Sequence, residues 1–458
     1  MRSLFLSLLA FGLGSATFYG QGSAALTAAG CSVRAASFQG WDAQVVTNRW
    51  VRLTFIPKLG GRLMQVEFNG HPYLFVNPKY LGQYISPQEA HGGWINYGGD
   101  KIWPMPEGDS DESHWRLAST AIDDLPYTFK VLSEGERCIV ELVGQPDTIT
   151  GLQYSRTISL SAESPEIGFH AVMKNATAHP IEWSVQSVSQ YDLGDHQNPA
   201  DYNHHFFAYT PVNAASSYPD GYHVRSGLAD DPSFSVADDV FQLHWGYFDN
   251  EVWLDSSAGW LAVVDQQTQY GMIERFNFQP NGSYPGKATV IFYKNGPSVS
   301  FDKEGRASIP VTKPESTPYY MEAEINSPIV RLQPNETYAM DTTWSPIRIN
   351  NFPQAVTNAG VVTQRLSATR HGENTTLNGT FSTFIAGNLT AVFMNGHGTE
   401  LSRHVLREVH PEENVVLDDH VPFVSEARQV VVKLFDVRGE DHGILDKANI
   451  ETPGSVSR

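Results

Sequence analysis

The chain has 458 residues, 41% hydrophobic and 18% charged, which fits two folded domains, or one large sheet domain with an appendage, and excludes a disordered protein. Its 31 basic and 50 acidic side chains give a net charge of −19, which repels phosphate backbones and anionic lipid surfaces. Nucleic acid is therefore a poor partner, whereas local basic groups can still serve an anionic polysaccharide.

Met1-Arg2, the apolar run Leu4–Phe11 and the small residues from Gly12 to Ala16 read as a secretory signal peptide over residues 1–24, with cleavage after Ala16 or Ala24. A secreted or periplasmic location is expected. No later stretch approaches twenty apolar residues, so no membrane span is expected. Cys31 and Cys138 are the only cysteines. Either they pair, closing a long loop worth ~4–5 kcal/mol in the chain-entropy account, or they stay as two separated thiols. Neither Cys-x-x-Cys nor His-Glu-x-x-His spacing occurs, so no zinc site is expected; neither is another metal or a cofactor.

Period-two alternation then dominates. Val51–Ile56 ends at Pro57, Leu63–Phe68 ends at the turn Asn69-Gly70, and Tyr73–Val76 follows. The same texture marks 129–132, 138–143, 154–160 and 167–173, and no convincing helical period interrupts it. Between these strands, Gly92–Gly108 combines Trp94, Tyr97 and Trp103 with Asn96, Asp100, Lys101, glycines and prolines, a mixture that predicts a loop. Aromatic faces cover the C–H side of a sugar while amides and charges bind its hydroxyls, so the loop suits a saccharide or serves as a Trp-anchored scaffold. Strand texture breaks at Pro346–Pro353, and shorter strands resume at 379–385, 389–394 and 430–436. The fold expected is all-β: a large two-sheet antiparallel β-sandwich over 31–350, then a small C-terminal β-sandwich over 360–450.

Phe38-Gln39-Gly40-Trp41, Asn48, Pro57–Arg62 and Gly98-Gly99-Asp100-Lys101-Ile102-Trp103-Pro104 resemble the start of a galactose-mutarotase-like domain, closest to a bacterial family of unknown function in that superfamily. Arg156-Thr157, Asn175-Ala176-Thr177 before Trp183, Glu322-Ala323-Glu324 and Leu332–Tyr338 before Trp344 extend the resemblance over roughly 38–348. It implies a β-supersandwich with a sugar site on a concave face, in a carbohydrate-active protein: an epimerase, lyase or hydrolase, or a binding protein without turnover. It also implies a histidine acid and a late glutamate base. Val188 stands where the histidine would fall, and Asn203-His204-His205-Phe206-Phe207 echoes that motif some residues later.

The candidate catalytic residues are thus Glu324 as base, Glu322 beside it and, as acid, His204 or the adjacent His205, which otherwise form a solvated loop pair. Glu322 and Glu324 alternate on one strand and share a face, as a site pair or as two salt-bridged glutamates. Arg62 and Arg156 are candidates for a hydroxyl or a uronate, or else orient acidic neighbours. Lys101 forms a local pair with Asp100 or reaches substrate. Trp94, Trp103 and Trp183 are candidate platforms, at least one of them core, and Asn96 is a candidate polar contact. Glu274-Arg275 is a weaker site candidate or a strand-end ion pair. Oligomeric state is not legible.

Overall fold

The computed structural model describes residues 30–108, 114–116, 120–195, 198, 202–244, 248–296, 300–301, 307–308 and 319–452. The expected signal peptide lies outside the described residues. The first unit consists of two large sheets. One is 12-stranded, with Ser32–Phe38, Trp41–Thr47, Val51–Ile56, Arg62–Phe68, Asp100–Met105, Ile181–Asp192, Tyr320–Asn326, Val290–Lys294, Asn250–Leu254 and His223–Ser226 as successive neighbours. The other is 10-stranded and centres on Tyr270–Phe276, Thr337–Arg348, Ile167–Asn175 and Leu152–Ser161.

Burial follows the alternation. Leu152–Ser161 turns one face inward and leaves the other partly exposed, so that Tyr154, Ile158 and Leu160 meet Phe55, Leu63 and Val66 of the facing sheet. Ile181–Asp192 is buried almost throughout, because its odd-numbered side chains enter the space between the sheets while its even-numbered ones lie under the site on the outer face. Chain from Val76 to Tyr97 folds over part of that outer face and closes a small cluster around Trp41, Leu59, Met64 and Tyr97. The uncovered remainder, toward Tyr320–Asn326 and Asn250–Leu254, is the concave surface that holds the site.

Cys31 and Cys138 are joined, with Cα atoms 5.7 Å apart across a separation of 107 residues. The link ties the first described strand of one sheet to the Arg137–Val143 strand of the other.

After Arg348 the chain enters an 8-stranded β-sandwich running from Ala355 to Glu451, antiparallel except where Gly360–His371 meets Asp441–Glu451 in parallel. Leu377, Phe381, Phe393, Val430 and Val432 belong to its own core. The strand predicted to break at Pro346 instead runs through it. Its ladder to Ile167–Asn175 ends at Trp344, and beyond that it keeps only the Tyr270–Phe276 neighbour, so one edge is free to take a residue without an N–H.

Candidate functional site

The segment expected to be a loop contains a central strand, Asp100–Met105, which is the main correction to the sequence reading. Its ladder to Arg62–Phe68 consists of the single pair Leu63↔Asp100, while Asp100 to Met105 pair continuously with Ser184–Ser189. Pro104 therefore sits where one edge of the strand lacks a neighbour, and its missing donor is tolerated. Gly98 and Gly99 precede it with φ of 95° and 76°. A Cβ at Gly98 would stand 2.2 Å from the Phe75 carbonyl oxygen, so only glycine lets the chain enter the sheet there.

Because this segment is a strand, Asp100 and Lys101 point to opposite faces and do not pair with each other. Asp100 enters the space between the sheets and is ion-paired to Arg156, whose guanidinium also lies 4.3 Å from the Phe169 ring centre. Burial pushes the Asp100 carboxyl up against the opposing pull of Arg156. Neither side chain reaches the concave face. Glu274 and Arg275 separate for the same reason: Glu274 accepts from Ser189 Oγ at 2.7 Å and Tyr191 OH at 2.5 Å in the interior, while Arg275 pairs with Glu166. Trp183 is on the interior side as well, 3% exposed and part of the core.

On the concave face, Lys101 donates to Glu322 Oε1 at 3.1 Å, and its Nζ lies 4.3 Å from the Trp103 ring centre and 5.8 Å from that of Trp94. Burial lowers the Lys101 pKa, and the Glu322 charge opposes the shift. The two indoles meet edge to face, with centres 5.9 Å apart. Asp123 fixes both: Oδ2 accepts from Trp94 Nε1 at 3.0 Å, Oδ1 from Trp103 Nε1 at 2.8 Å, and Oδ1 also pairs with Arg62 at 2.7 Å. Arg62 is fully buried and is committed to Asp123 and the Gly98 carbonyl, so it braces the site and has no path to a ligand. Gly60 is what lets the Asp123 turn dock, since a Cβ there would stand 2.1 Å from the Asp123 carbonyl oxygen. Asp123 carries no motif signal; its role arises from long-range packing.

Glu322 and Glu324 share the concave face, two strands from the Trp103 strand and two from the Trp253 strand, or about 10 Å from each at ordinary strand spacing. Gln190 donates to Glu322 Oε1 at 2.6 Å, and Gln186 donates to Glu324 Oε2. Glu322, Glu324 and Gln186 border a cavity of about 310 Å³. Trp94, Trp103, Trp253, Tyr293 and Tyr320 supply its aromatic wall, and Glu107, Glu251 and Arg225 join the two central glutamates as its charged groups. Burial is the main cause that holds the Glu324 carboxyl well above the usual range, and Glu322, Glu251 and Glu107 add to it. Glu107 stands at the mouth with much of its surface exposed; the walls around it, then Glu251 and Glu322, raise its carboxyl to about 7. Glu251 is raised as well, first by burial, while its carboxylate accepts from the Trp253 indole.

Val188, where the resemblance implied a histidine, is the cross-strand partner of both Lys101 and Glu324 and lies in the middle of this floor. His204 does not replace it. It lies against Tyr202, ring centres 4.0 Å apart, and is not among the residues lining the cavity. Asn96 caps its own turn by accepting from the Gly98 N–H at 3.1 Å. Sequence reasoning missed Glu107, Glu251, Trp253, Arg225, Tyr293 and Tyr320. For Glu251 and Trp253 a signal was present, since the alternation of Asn250–Leu254 puts both on one face.

No family model and no curated protein matches the sequence. The chain is similar in structure to a galactose mutarotase-like protein from Clostridium acetobutylicum, at 9% identity over 69% of this chain and 99% of that one, TM-score 0.44. It is also similar to a galactose mutarotase-like protein from Lactobacillus casei, at 9% identity over 66% and 99%, TM-score 0.41. A TPR-domain containing protein from Parabacteroides distasonis matches at 14% identity over 67% of this chain, TM-score 0.42, and there the chain spans about half of its relative, 47%.

Proposed function

We propose that the concave cavity binds a saccharide and that Glu324 and Glu322 act on it as an acid–base pair at the anomeric centre. The observation that carries this reading is the cavity itself: two tightly placed carboxylates in the middle of a sheet, with tryptophans to either side. Its volume lies at the low end of the ~300–1,000 Å³ range of small-molecule sites and suits one or two pyranose rings. Trp94 and Trp253 offer aromatic faces to ring C–H groups, and the glutamates and Gln186 offer acceptors to hydroxyls.

The roles follow from the electrostatics. Glu324, whose carboxyl burial and its acidic neighbours raise well above the usual range, is the proton donor to a sugar oxygen. Glu322, held by Lys101 and Gln190, is the acceptor. This reverses the base role that the resemblance implied for Glu324. Val188 at the centre of the floor favours one further reading, a binding protein without turnover, because the residue between Lys101 and Glu324 carries no proton. The Cys31–Cys138 bridge supports an oxidising, secreted or periplasmic location.

Titration of intrinsic tryptophan fluorescence with a panel of mono- and disaccharides tests binding, and exchange NMR on the sugars that bind tests anomer interconversion. Saturable binding with exchange above the uncatalysed rate supports the enzyme reading. Binding without exchange leaves the non-catalytic one, and no response from any sugar overturns both.

A further inference from the structure

We infer that the saccharide this cavity selects carries a free amino group and binds in its cationic form, as an amino sugar. The inference rests on the saccharide reading above and narrows its class. Four carboxylates line the cavity, and the Lys101 ammonium is already spent on Glu322. Among the described residues no cation lies within ion-pairing distance of Glu107, Glu251 or Glu324. Arg225 lines the same cavity and partly offsets Glu107 and Glu251, but it lies in the exposed His223–Ser226 strand, its guanidinium 5.8 Å from the Trp253 ring centre, and forms no ion pair with either carboxylate.

The hydrogen-bond inventory points the same way. The Gln186 carbonyl oxygen is buried without a partner beside carboxylates that mostly accept, so the surroundings call for a ligand rich in donors. An ammonium brings three donors and a positive charge, and the rings of Trp253, Tyr293 and Tyr320 attract cations by their faces. Glu251 stands in register with Tyr293 and Tyr293 with Glu322, so Glu251 and Glu322 share one cross-strand row on this face, and Glu107 lines the same cavity. An ammonium carried by a sugar that faces Glu322 and Glu324 can therefore be seated beside Glu251. A uronate or sugar phosphate would bring a further negative charge into a site that already has an excess of them.

The test uses the full chain at fixed ionic strength, with binding measured calorimetrically for glucosamine, glucose, N-acetylglucosamine, glucuronate and ethylammonium. Glucosamine is expected to bind at least about tenfold more tightly than glucose, with N-acetylglucosamine below glucosamine and glucuronate weakest. In Glu251→Gln, glucosamine affinity is expected to fall by more than glucose affinity does, so that the preference drops to within about threefold of unity. Equal binding of glucosamine and glucose by the unaltered chain overturns the inference and leaves the saccharide reading standing. Failure of every sugar removes both. Ethylammonium binding as tightly as glucosamine also overturns it, since the site would then recognise a cation without a ring.

Discussion

Asp123 gathers two indole N–H groups and a buried guanidinium on one carboxylate, and the position of the tryptophan wall depends on it. Removing it leaves Arg62 charged and enclosed, which is costlier than losing a surface pair. Asp123→Ala is expected to lower stability by ~3–5 kcal/mol in urea unfolding and to weaken sugar-induced fluorescence changes. Glu324→Gln retains the shape of the site and removes the donated proton. It is expected to abolish anomer exchange while sugar affinity stays within about tenfold. Unchanged exchange would take Glu324 out of the mechanism.

Glu274 is the other residue whose ionisation matters. Burial between the sheets raises its carboxyl to about 8, with the Asp100 charge adding to the shift and Arg156, Ser189 and Tyr191 opposing it. The folded state therefore holds this proton more tightly than the unfolded chain does. The stability so gained is complete below the unfolded value near ~4.3 and is lost as pH rises through about 8. The slope this group can contribute is at most about 1.4 kcal/mol per pH unit. Glu274→Gln is expected to flatten the stability profile between those limits, measured as urea midpoints across pH. A profile parallel to that of the unaltered chain would remove Glu274 as its source.

At the scale of elements, alternation sorts charges that look adjacent in sequence. Asp100 and Lys101, like Glu274 and Arg275, are neighbours in the chain and face opposite sides of a sheet. Both prolines that looked like strand breakers sit where the strand extends past one of its neighbours, which no local pattern announces. The Cys31–Cys138 link connects edge regions of the two large sheets across 107 residues of chain. Replacing both cysteines by serine is expected to lower stability by ~4–5 kcal/mol, read from thermal or urea unfolding under non-reducing conditions. A loss below ~1 kcal/mol would mean that the chain between them is already constrained when unfolded.

Across the whole molecule, the two units share a core. Phe384 of the second unit is 1% exposed among Trp260, Ile273 and Ile347 of the 10-stranded sheet, with Arg275 4.5 Å from its ring centre. Ser382 Oγ donates to the Arg348 carbonyl at 2.6 Å, and the Arg348 N–H donates to the Pro411 carbonyl at 3.0 Å, so polar contacts frame the apolar patch. This interface covers the face of the 10-stranded sheet turned away from the first core, and thus acts as a buttress rather than as part of the cavity. Phe384→Ala is expected to cost ~3–5 kcal/mol and to split calorimetric unfolding into two transitions. A single transition would indicate that other contacts hold the units together.

The β class, the Asn69-Gly70 turn and the four strands from Thr128 to Asn175 in the 10-stranded sheet were legible in the sequence, because alternation and turn residues act over a few positions. So was the shared face of Glu322 and Glu324, since period two alone fixes it. Four of the proposed contacts, Asp100, Arg62, Arg156 and Trp183, carried the right chemistry and lie in the interior or the bracing around the site. Which side of a sheet is solvent-facing depends on what packs against it, and Asp123, Glu107, Glu251 and Trp253 converge from chain segments far apart in sequence. The sequence determined the strands and the types of side chain they carry. Only the packing of sheet on sheet and of chain 76–97 over the outer face decided which of those side chains meet in one cavity, because burial is a property of layers and not of neighbours along the chain.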